Sequence, residues 1–156
     1  MHFEEIEVIG NYARACGSQG TSPCPVSVSA SWGTLSAVSP SVVVDGVAGT
    51  GNIVHSDGLV ANEWLMVDLQ KQRPIMSVTI YNRIDAYANR LTGAEIRVGD
   101  ANAFNGNTAC ATISTADVAS RKIDKRCSVL GRCDVLPAYL RESSVCTRTV
   151  CLLLFL

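Results

Sequence analysis

Residues 81–90 read Tyr81-Asn82-Arg83-Ile84-Asp85-Ala86-Tyr87-Ala88-Asn89-Arg90, and their place between two alternating segments decides the fold. Upstream, Met76-Ser77-Val78-Thr79-Ile80-Tyr81 alternates in the period-2 manner of a half-buried strand. Downstream, Ala94, Ile96 and Val98 alternate with Glu95 and Arg97 in the same way. The stretch reads as a strand end, a short polar loop and the start of the next strand. A hairpin-like return of this length brings Arg83 and Arg90 to one rim of a sheet. Two guanidinium groups so placed repel unless something anionic or rich in hydroxyls lies beside them. Asp85 can hold one arginine in position while both forks donate outward in pairs. Such a rim suits a small polyhydroxylated ligand. Taken by itself, a charged surface loop is more often merely solvated, so the rest of the chain has to decide.

The pattern R-x-D-x-x-x-x-R after a strand ending in Tyr-Asn resembles the signature of the F-type lectins (fucolectins), a branch of the discoidin-like domains. Val43-Val44-Asp45-Gly46 resembles the early Ala-Val-Asp-Gly turn of that family, and Trp64-Leu65-Met66-Val67-Asp68-Leu69 its Trp-Trp-Arg-Val-Asp-Leu strand. Leu91–Gly99 and the run Phe104–Cys110 follow in the family's order, so the likeness covers roughly Cys24 to Arg132. The resemblance implies an all-β, jelly-roll-like β-sandwich of the galactose-binding-domain-like kind, built from two antiparallel sheets with its binding loops at one end. It also implies that Arg83, Arg90 and His55 hydrogen-bond a sugar, with Asp85 as organiser. His55 lies about one residue farther from Arg83 than the family spacing. A sugar such as fucose offers oxygen acceptors, hydroxyl donors and an apolar face. Arginine gives fixed paired donors, and a neutral imidazole can donate from one nitrogen and accept at the other.

Three departures from the family pattern carry consequences. Where many fucolectins have adjacent cysteines in the loop, this chain has Ala86 and Tyr87, and Tyr87 can offer an apolar platform instead. The family places calcium under the site, held partly by asparagines around the Val-Asp-Gly turn, but Val42 and Val47 stand at those positions. Calcium takes six to eight oxygens. Asp45 is the one recognisable side-chain ligand of that turn, so either the ion is lost, which is the leading expectation, or calcium is held by backbone carbonyls. Cys110 and Cys127 match a pair that the family joins by a disulfide. After Arg132 the likeness stops: residues 133–156 form a divergent tail in which the family's regular closing strands are not recognisable.

Composition narrows the functional classes. The chain has 156 residues, enough for one domain with a core, and a formal net charge of −1. That balance argues against nucleic acid or an anionic membrane surface as a partner recognised by bulk charge. Seven cysteines point to an oxidising compartment, so an extracellular or cell-surface location is expected. No apolar signal segment precedes the domain, and the Cys151–Leu156 run is too short to span a bilayer. A piece of a larger secreted or surface protein, or a missing start, is the expectation. Residues 1–10 alternate like a strand and resemble the closing strand of an F-type domain. Their simplest reading is the tail of a preceding repeat; the alternative is pairing within this domain.

Residues 11–132 then form the lectin-like domain. Residues 11–25 are rich in Gly, Ser, Cys and Pro, and Cys16 and Cys24 can close a small loop there. Gly46, Gly49 and Gly51 form G-x-x-G-x-G without a following Lys-Ser or Lys-Thr, so they read as loop glycines rather than a phosphate cradle. No catalytic constellation of Ser, His and Asp, metal-spaced His/Cys set or paired carboxylates is evident, and an enzyme is not expected. The leading expectation is a module recognising fucose-type glycans, used in tandem repeats or oligomers for avidity. The alternative is a degenerate discoidin-like adhesion or interaction module that binds no sugar; a weaker third is an accessory domain of a carbohydrate-active enzyme.

Overall fold

The computed structural model describes residues 2–10, 24–29, 40–48, 53–55, 63–70, 75–101, 106–129 and 151–155. Nine strands lie in these residues: β1 (His2–Gly10), β2 (Val26–Val28), β3 (Val54–His55), β4 (Trp64–Asp68), β5 (Ile75–Asn82), β6 (Glu95–Gly99), β7 (Thr108–Thr112), β8 (Lys122–Val129) and β9 (Cys151–Phe155). They form a four-stranded sheet in the order β3-β1-β5-β8 and a five-stranded sheet in the order β2-β4-β9-β6-β7. Every pairing is antiparallel. This is the all-β sandwich architecture, with short 3-10 turns at Pro40–Val44, Ala88–Leu91 and Asp117–Ala119.

Alternation puts one face of each sheet into the core. Leu65 and Val67 of β4 and Ile96 and Val98 of β6 are buried while their neighbours are half-exposed; Val78 and Ile80 of β5 are buried too, with Thr79 between them covered as well. On β6 the outward Glu95 and Arg97 form an ion pair at 2.9 Å. Val43 and Val44 are fully buried in the 3-10 turn before Asp45, and Gly46 then adopts φ +84°, a conformation that a residue with a side chain rarely takes.

Three features differ from the simplest expectations of the sequence. First, residues 81–95 do not make a hairpin within one sheet. β5 belongs to the four-stranded sheet and β6 to the five-stranded one, so the loop crosses the end of the sandwich. Alternation fixes which face of a strand is buried but not which sheet it joins, and the Ala88–Leu91 turn with buried Leu91 carries the chain across. Second, β1 is an inner strand, paired from Phe3 to Gly10 with β5 and flanked by β3. Phe3, Ile6 and Val8 enter the core, so this segment is physically part of the present sandwich. Third, Cys151–Phe155 supplies β9 between β4 and β6, so the divergent tail ends in a regular strand. An apolar run satisfies its backbone by pairing with two neighbours at once.

Cys110 on β7 and Cys127 on β8 are bridged, with Cα atoms 5.2 Å apart, stapling an edge of one sheet to an edge of the other as the resemblance implied. Cys24 is buried and disulfide-bonded; Cys16, Cys133 and Cys146 lie outside the described residues, as do Gly49 and Gly51. No helix among the described residues is long and apolar enough to cross a membrane.

The bridge spans 17 residues of sequence, and closing a loop of that size stabilises by about 3 kcal/mol. The Cys110→Ala/Cys127→Ala double variant is expected to lose stability of that order in reversible denaturant unfolding. An unchanged midpoint would mean that packing alone holds the two edges together.

Candidate functional site

Asn82 closes β5 and anchors the loop that follows. Its side chain is fully buried, and its amide nitrogen donates to the carbonyls of Ala88 at 3.0 Å and Val118 at 3.4 Å. Its backbone N–H donates to the Arg121 carbonyl at 2.7 Å. One buried amide therefore ties both the 83–88 loop and the neighbouring 114–121 loop to the strand.

Asp85 organises the loop itself. Arg83 Nε donates to Asp85 Oδ1 at 2.5 Å and Arg83 Nη2 donates to Oδ2, a two-pronged fork. The same Oδ1 accepts the Tyr87 N–H at 3.1 Å, and the Asp85 carbonyl accepts the Ala88 N–H at 3.0 Å. An aspartate that caps the backbone two residues on is a turn former in its own right. The Arg83 hydrogen bonds hold the Asp85 carboxyl below the usual carboxylate range, and Asp85 in turn raises the Arg83 pKa. Arg83 keeps only 15% of its side chain exposed, whereas Asp85 keeps 52%.

The 3-10 turn Ala88–Leu91 starts from Tyr87, with the Arg90 N–H donating to the Tyr87 carbonyl at 3.2 Å. Three residues per turn eclipse the side chains of residues i and i+3, which puts Arg90 over the Tyr87 ring. Its guanidinium carbon lies 4.4 Å from the ring centroid, and that of Arg83 lies 5.1 Å from it. Both arginines singled out in the sequence thus converge on one aromatic side chain that is 51% exposed.

His55 is placed through its backbone; its side chain lies outside what the structure describes. Val54 pairs with Phe3, and Phe3 with Asn82, so the three form one row across the sheet. β3 and β5 run the same way, so His55 and Arg83 each stand one residue beyond that row. Two strand spacings separate them, about 10 Å. At the same sheet end lies a feature that sequence reasoning missed: Arg121, from the β8 side, donates through Nη2 to Glu4 Oε2 of β1 at 2.6 Å, straddling the end of β5. These partners are 117 residues apart in sequence, and no local pattern announces such a pair.

The Val-Asp-Gly turn lies against β1. Gly46 N–H donates to Glu5 Oε1 at 3.1 Å and Val47 N–H to Asp45 Oδ1 at 2.8 Å. Glu5 Oε2 is buried with no hydrogen-bond partner among the described residues. Burial pushes the Glu5 carboxyl up to about 7; the Gly46 hydrogen bond pulls it back, and the nearby charges of Asp45 and Glu7 push the same way as burial. Glu5 is a second carboxylate at this turn, which the reading of Asp45 alone overlooked. Two carboxylates do not furnish the six to eight oxygens that calcium takes. Among the described residues no group of three or more His, Cys, Asp or Glu is placed to hold a metal. Among the described residues, the side chains of this turn do not by themselves make up a calcium cage.

A protein-family model described as a NedA-like, galactose-binding domain of the F5/F8 type C kind matches residues 42–132. The chain belongs to this family, and the matched region contains the whole Arg83–Arg90 loop. Among curated proteins it is similar to Fucolectin-6 of Anguilla japonica, 40% identical over 84 residues, which cover 53% of this chain and 44% of that one. It is also similar to the Fucolectin of Anguilla anguilla, 42% identical over 74 residues, 46% of each chain. The chain thus spans less than half the length of these relatives.

The Glu5 carboxyl generates a test. Its folded pKa of about 7 lies above the ordinary 4.5, so the folded state holds its proton more tightly than the unfolded state. Stability from this group is fully present below about pH 4.5 and is lost as pH rises through about 7, by roughly 3 kcal/mol. Asp117, held down at about 2 by Lys125 and then Ser114, acts in the opposite sense and at lower pH. Glu5→Gln is expected to remove the fall in stability between pH 4.5 and 7 and to leave the variant more stable than the parent at pH 8. Chemical denaturation across that range reads it; parallel pH profiles for the two proteins would contradict it.

Proposed function

We propose that the chain is a carbohydrate-binding module that recognises fucose-type glycans, carried by a secreted or cell-surface protein. One observation carries this reading: Arg83 and Arg90 converge on Tyr87, with Asp85 gripping Arg83, at the sheet end where His55 also emerges. Arg83, Arg90 and His55 donate to sugar hydroxyl and ring oxygens, Asp85 orients Arg83, and Tyr87 borders the site. The Fucolectin names of the similar proteins and the galactose-binding description of the family support the ligand class. The Cys110–Cys127 disulfide supports an oxidising compartment. The lectin-like unit in this reading is residues 11–132 together with β1, and residues 133–156 are its divergent end.

Each charge-assisted hydrogen bond contributes roughly 1.5–3 kcal/mol, offset by desolvation of sugar and site. Single-site affinity is then modest, and tandem copies or an oligomer would supply avidity. No step of this function requires catalysis or a bound metal.

A second reading draws on Ile84, which is 71% exposed on the same loop. An apolar side chain so placed beside two cations also suits a discoidin-like module that engages protein or lipid headgroups without sugar. Glycan-array binding separates the two. Fucosylated glycans are expected to bind, and Arg83→Ala or Arg90→Ala to weaken binding about tenfold or more, the loss of one charge-assisted bond. Array binding that survives both substitutions, or none by the parent, would reject the lectin reading.

A further inference from the structure

We infer that Tyr87 is a positioning residue. Its ring gathers the Arg83 and Arg90 guanidinium groups into one ligand-facing pair, rather than serving the sugar as a bare stacking platform. This rests on the proposed glycan site and assigns a role within it.

The geometry is local. The 3-10 register sets Arg90 three residues after Tyr87, where side chains eclipse. The Asp85 carboxylate, which accepts the Tyr87 N–H, fixes the backbone beneath the ring. The two guanidinium carbons, at 4.4 and 5.1 Å from one centroid, stand within about 10 Å of each other, close to the screening length of physiological salt. Their repulsion is therefore felt. Asp85 forks onto Arg83 and offsets part of it; the π-system of Tyr87, within cation–π distance of both guanidinium groups, attracts them and offsets more.

Burial argues the same way. With 51% of its surface exposed, Tyr87 contributes little to the core, so its contacts with the two arginines define its place. A guanidinium carbon 4.4 Å from the centroid leaves no room for a sugar between it and the ring. A ligand then meets the arginine donors, held in register by the ring behind them.

The test uses Tyr87→Phe, Tyr87→Leu and Tyr87→Ala in the full chain, each checked for an unchanged thermal midpoint. Proton–nitrogen spectra of the arginine side chains read the brace without ligand. In the parent and Tyr87→Phe, the Arg83 and Arg90 Nε–H signals are displaced by the ring current. In Tyr87→Leu and Tyr87→Ala the ring-current displacement is expected to vanish from both, while the Arg83 signal keeps the shift due to its Asp85 hydrogen bond. Binding to a fucosylated glycan reads the consequence: Tyr87→Phe within about twofold of the parent, and Tyr87→Leu and Tyr87→Ala weaker by about fivefold or more. Leucine keeps the apolar surface and loses the ring face, so Tyr87→Leu binding as well as Tyr87→Phe would overturn the inference. Undisplaced arginine signals in the parent would overturn it too. Displaced signals in a parent that binds no fucosylated glycan would support the brace and reject the lectin reading instead.

Discussion

The fork between Arg83 and Asp85 is the interaction on which the rim of this domain depends. Without it, one short loop would carry two guanidinium groups with no carboxylate of that loop gripping Arg83. With it, Arg83 is held in two hydrogen bonds while it is mostly withdrawn from solvent. The same carboxylate takes the Tyr87 N–H and so sets the start of the 3-10 turn that carries Arg90. Charge, backbone shape and aromatic placement all follow from a single aspartate two residues after the arginine.

The sandwich supplies what the loop cannot. Asn82, buried at the end of β5, ties the loop and its 114–121 neighbour to the sheet, and the Glu4–Arg121 pair closes over that strand end. The chain then crosses to the second sheet, so the loop lies over the end of the core and is held at both feet by different sheets. A loop anchored on two rigid layers keeps its side chains placed far better than one hung from a single hairpin. Inner strands β1 and β9 come from opposite ends of the chain, so each sheet is held together by a segment distant in sequence from its partners.

Much of this was legible in residue order. Alternation marks β5 and β6, the family resemblance marks β4, and the Val-Asp-Gly turn declares itself through a glycine that adopts positive φ. The arginine pair was legible because R-x-D-x-x-x-x-R is a local pattern, and its geometry arises from local turns. The cysteine bridge followed from the family resemblance. What the residues did not disclose is long-range. Alternation cannot say which sheet a strand joins, so residue order alone suggests a hairpin where the chain crosses between sheets after β5. The pairing of β1 depends on partners more than fifty residues away, and the Glu4–Arg121 pair and the burial of Glu5 exist only once β1 is in place. The cation–π contacts of Tyr87 were hidden for another reason: a loop reading misses the three-residue periodicity that a 3-10 turn imposes.

We propose that a sugar meets this protein at the Arg83–Arg90 loop. Titrating isotope-labelled protein with L-fucose and following backbone and arginine side-chain signals measures this directly. Saturable shifts confined to residues 83–91, the Arg83 and Arg90 Nε–H groups and the neighbourhood of His55 are the predicted result. Saturable shifts mapping to the opposite end of the sandwich, or none at millimolar sugar, would contradict it.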